Sequence, residues 1–106
     1  MNIHTIMRLC EDIAAREETT KEQLYSGVQA LYVEACNITG KKPMTSREWE
    51  RKVRRLKAKG LPQKERASLD DLFAITTTVS TFDDSSNADV LGGILQMYQH
   101  TLKKIK

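Results

Sequence analysis

Apolar residues recur at intervals of three and four along almost the whole chain, in five blocks divided by helix-start and helix-stop signals. That spacing puts each block's apolar side chains on one helical face. Ile3, Ile6, Met7, Cys10, Ile13 and Ala14 form the first block and predict a helix over about residues 2–17. Arg8, Glu11, Asp12 and Glu18 fall largely opposite.

Thr19 with Glu22, or Thr20 with Gln23, fits a capping box, in which a hydroxyl accepts a free first-turn amide and the longer side chain reaches back. The helix that follows carries Leu24, Val28, Leu31, Tyr32 and Ala35, with Cys36 and Ile38 beside them. Gly40 is a suitable stop and Pro43 prevents continuation. A third helix, about 45–59, starts at a Thr45/Glu48 capping box and shows a narrow stripe of Trp49, Val53 and Leu56. Gly60 and Leu61-Pro62 end it, and residues 61–67 read as a connector or a short helical turn.

Ser68 with Asp71 caps a fourth segment bearing Leu69, Leu72, Phe73 and Ile75. It runs into the β-branched tract Thr76 to Phe82, which favours a strand. A lone strand has no partner in an otherwise helical chain, so the expectation is a helix to about residue 79 with a frayed end. A polar connector, exposed and mobile, is expected over about 80–87. The last helix, about 87–103, presents Val90, Leu91, Ile94, Leu95, Tyr98 and Leu102. Its Gly92-Gly93 pair signals a close helix crossing or a bend, since interior glycine costs about 1 kcal/mol relative to alanine.

The fold class is therefore all-α: a compact bundle of about five short helices in a single domain, 1–106. One Trp, three Tyr and two Phe leave the core to Ile, Leu, Val, Met and Ala. In 106 residues that core is small, and a homodimer is a common way to extend it.

Several function classes find no support. No run of 18 apolar residues marks a membrane span. Glu11 and Asp12 interrupt the place where a secretory signal needs an apolar core, so an intracellular location is expected. Cys10 and Cys36 lack CxxC spacing and read as reduced, buried thiols. His4 and His100 stand alone, without metal-ligand spacing. The Asp70-Asp71 and Asp83-Asp84 pairs have neighbours pointing in different directions, and the first suits a helix start. No Gly-rich phosphate loop or nucleophile motif is present. The reading is a non-enzymatic protein without metal or cofactor.

Charge is the strongest functional signal. The net of +3 divides into −3 over residues 1–40, +8 over 41–66 and −2 over 67–106. Arg47, Arg51, Lys52, Arg54, Arg55, Lys57 and Lys59 lie on the third helix, and Arg47, Arg51, Arg54 and Arg55 share a face away from its apolar stripe. Guanidinium forks match phosphate geometry, and neutralising phosphates releases counterions. These seven residues are the candidate contacts to DNA or RNA backbone. An almost single-signed face repels itself unless a polyanion or an acidic protein partner offsets it. The alternative is a helical interaction module, an adaptor or inhibitor docking its basic or apolar face on a larger protein; the bland one is a merely solvated face.

The basic helix carries no Asn or Gln for adenine readout, and no aromatic platform for stacking is visible in the sequence. A helix-turn-helix stays open, although the Gly40–Met44 link is somewhat longer than the usual three-to-four-residue turn. One Trp, one Val and one Leu are too few for stable insertion into a membrane surface. The acidic stretch Asp83–Asp89 has the charge to fold back on the basic helix as an internal competitor.

Overall fold

Five helices form where spacing and caps place them: α1 (Ile3–Ala14), α2 (Lys21–Thr39), α3 (Ser46–Lys59), α4 (Leu69–Val79) and α5 (Asn87–Lys104). The structure is a computed structural model, and it describes residues 2–16, 18–60, 67–81 and 85–104. The 61–66 part of the expected connector, and residues 82–84 of the polar connector with the Asp83-Asp84 pair, lie outside the described residues.

The helix starts follow their capping chemistry. Asn2 accepts the Thr5 amide at 2.8 Å before α1. Of the two boxes open before α2, Thr20 and Gln23 form the one used, with Thr20 N–H donating to Gln23 Oε1 at 2.9 Å. Thr45/Glu48 and Ser68/Asp71 close reciprocal boxes at α3 and α4. Ser86 and Asp89 do the same before α5. Gly40 ends α2 in the left-handed region, φ 73°, where the Lys41 amide turns back to the Cys36 carbonyl.

The threonine tract stays helical because its hydroxyls bond the preceding turn. Thr76 Oγ1 donates to Leu72 O at 2.7 Å, and Thr77 and Thr78 donate to Ala74 O at 3.0 and 2.8 Å. Burial of Thr76 and Thr77 between helices then outweighs their strand preference.

Two helices carry the core. α2 packs against α1, α4 and α5, and α5 against α1, α2 and α4. Leu24, Val28, Leu31, Val90, Ile94 and Met97 are fully enclosed, each stabilising the fold by about 1.5–3 kcal/mol. A Cβ on Gly93 would sit 2.4 Å from Thr76 Oγ1, so this glycine lets α4 cross α5 closely; Gly92 faces open space. Cys10 and Cys36 are buried free thiols, and burial raises both above the usual thiol range.

α3 differs from the rest. It has no buried residue, and among the described helices it packs against α4 alone. It is an outrigger on the four-helix core.

Candidate nucleic-acid interface

Three contacts fix how α3 sits. Trp49, half-buried against the core, donates its indole N–H to Thr77 Oγ1 at 2.9 Å. Lys52 forms a 2.5 Å ion pair with Asp71, whose other oxygen accepts the Ser68 amide at 3.1 Å. Tyr32 of α2 holds the segment before α3: its hydroxyl accepts the Met44 amide at 3.0 Å and donates to Asp70 Oδ1 at 2.7 Å. Its ring stacks on Phe73, centroids 4.0 Å apart. Burial, and then the Asp70 carboxylate, push the Tyr32 phenol well above its usual range, so it stays protonated.

These contacts set which cations face outward. Arg47, Arg51, Arg54, Arg55, Lys57 and Lys59 are exposed, and among the described residues none forms an ion pair with a carboxylate. Lys52 is set apart, half-buried and turned to α4. Six of the seven predicted residues therefore share the accessible surface of one helix, and the seventh fastens that helix. Burial would raise the Asp71 carboxyl, but the Lys52 ammonium and the Ser68 hydrogen bonds outweigh it and hold it below the usual carboxylate range. The Thr45 hydrogen bonds likewise lower Glu48, which is spent on its cap.

Two further features were not singled out from sequence. Lys41 pairs with Asp70 at 2.8 Å, linking the end of α2 to the start of α4. The alternation of a basic segment with the Asp70-Asp71 pair was the available signal for both ion pairs. An aromatic-walled groove of about 410 Å³ also opens between α2 and α3, lined among others by Tyr25, Val33, Met44, Trp49 and Phe73. These residues are remote in sequence, which is why no aromatic surface was visible there.

α2 and α3 make no helix-to-helix contact, and residues 40–45 separate them, so they do not form a helix-turn-helix unit. Among the described residues, no three His, Cys, Asp or Glu side chains converge, and no helix is long and apolar enough to cross a membrane. His4 Nδ1 and the Tyr98 hydroxyl are 2.6 Å apart, joining α1 to α5. Compared with protein-family models, curated proteins and solved structures, the chain matches none.

Proposed function

We propose that the protein is a small non-enzymatic nucleic-acid-binding or regulatory protein that contacts phosphate backbone through α3. The observation that carries this reading is the outer face of α3, where Arg47, Arg51, Arg54 and Arg55 are exposed and free of ion pairs among the described residues. Four exposed guanidinium groups on one helix face form a ready phosphate-contact surface. The arginines supply electrostatic attachment, and the other helices supply the scaffold. Lys57 and Lys59 extend the face to the end of the helix, where cations also suit the helix dipole.

The deciding experiment is binding of duplex DNA, duplex RNA and single strands at two salt concentrations. Arg51→Glu with Arg55→Glu abolishes binding while the thermal midpoint stays near that of the wild type. Binding unchanged by that double variant overturns the reading.

The groove between α2 and α3 favours a second reading, an interaction module docking on a larger protein. Val33 at its edge is 45% exposed, a large apolar side chain open to solvent. Nucleic-acid binding that is weak and indifferent to the arginine variants decides for this alternative.

A further inference from the structure

A second basic surface lies where three helix ends meet, away from the outer face of α3. Two depressions adjoin there, sharing Ala67, His100 and Lys104. The larger holds about 540 Å³ and reaches Lys41 and Ser68; the other reaches Lys103 and the amides of Gln96 and Gln99. Three lysines and a histidine thus line one trough, and among the described residues no carboxylate does. Among the described residues, Asp70 reaches the edge of the trough through its 2.8 Å ion pair with Lys41, and Asp71 is paired with Lys52. Ser68 Oγ accepts the Asp71 amide, which leaves its own proton for another acceptor. Lys103 and Lys104 also offset the partial negative charge of the last carbonyls of α5.

We propose that this trough binds phosphate oxygens, through Lys103, Lys104 and the imidazolium of His100. In the free protein, burial and then Lys104 and Lys103 lower the His100 ring below its usual range. Among the described residues, Thr39 and Lys41 at the end of α2 and Ser68 at the start of α4 line the same depression as His100. Burial and the two lysines disfavour the His100 imidazolium, and a bound phosphate dianion between them would favour it. The trough also connects to α3: Lys41 pairs with Asp70, which with Arg51 and Arg55 lines the next depression. Glu48 and Asp70 line that depression beside the two arginines, so the trough is a site of its own and does not rest on the reading of α3.

The test follows the His100 ring protons by NMR, assigned with His100→Gln, as pH is varied with and without inorganic pyrophosphate. The midpoint rises by about one pH unit with pyrophosphate, because a bound anion favours the imidazolium. Lys103→Glu with Lys104→Glu loses the rise, whereas Arg51→Glu with Arg55→Glu keeps it, so the trough and the α3 face succeed or fail separately. A midpoint that does not move in the wild type, or moves equally in the lysine variant, overturns the proposal. A duplex arm names the source of the phosphate. If Lys103→Ala with Lys104→Ala lowers the salt dependence of duplex binding by about two phosphates, the ligand is a nucleic-acid backbone. An unchanged dependence with the pyrophosphate response intact assigns the site to a free oligophosphate.

Discussion

The Trp49 indole N–H and the Thr77 hydroxyl oxygen lie 2.9 Å apart at the contact between α3 and α4. Thr77 is fully buried and also donates to the Ala74 carbonyl, so its oxygen ties the basic helix to the interior of its neighbour. Thr77→Val keeps the shape and leaves the indole without its acceptor, at a cost of about 1–2 kcal/mol. Thermal unfolding reads the loss, and amide exchange accelerates in α3 more than in α2 or α5. Uniform acceleration across all five helices would contradict the local role.

The two adjacent glycines of α5 are expected to respond with opposite signs. Gly93→Ala places a methyl against the Oγ1, Cγ2 and Cβ atoms of buried Thr76, which is itself bonded to Leu72. It destabilises the protein by about 1–3 kcal/mol, the usual range for overpacking. Gly92→Ala meets open space and gains helix propensity, stabilising by up to about 1 kcal/mol. Denaturant midpoints of the two variants decide the matter.

Acid should loosen α3 through Asp71. Its carboxyl is lowered in the folded state by Lys52 and Ser68, so the unfolded chain binds that proton more readily. The stability it supplies is complete above the ordinary aspartate value of about 3.9 and is lost as pH falls through the lower folded value. Asp71→Asn therefore flattens the stability profile below about pH 4, measured by urea unfolding at stepped pH. A profile as steep as that of the wild type would exclude Asp71 as a source of the acid sensitivity.

Lys52 and Arg54 separate fastening from contact. Lys52→Met removes a half-buried partner of Asp71 and lowers stability, with little change in the salt dependence of nucleic-acid binding. Arg54→Ala leaves stability near the wild-type value, because the side chain is exposed, and reduces the salt slope by about one phosphate. Paired melting and salt titrations report both quantities.

Most of the fold was legible because local and tertiary preferences agree. Thr20, Thr45 and Ser68 announce helix starts that the structure uses, and Gly40 announces a stop. The threonine run of α4 was the one conflict, and its outcome depended on hydroxyls reaching back to Leu72 and Ala74 and on burial under α5. At the candidate interface, helical spacing was enough to group Arg47, Arg51, Arg54 and Arg55. It was not enough for Lys52, whose partner Asp71 belongs to another helix. The groove walled by Tyr25 and Trp49, and the trough around His100, depend on how helices far apart in sequence meet. No periodicity within one helix encodes that.

The isolation of α3 also bears on how such a chain can change over generations. None of its residues is enclosed in the core, and Trp49 and Lys52 tie it to α4. Substitutions on the outer face are therefore largely uncoupled from folding. Selection can retune the reach, charge and spacing of that face one residue at a time, while the other four helices preserve the platform that presents it.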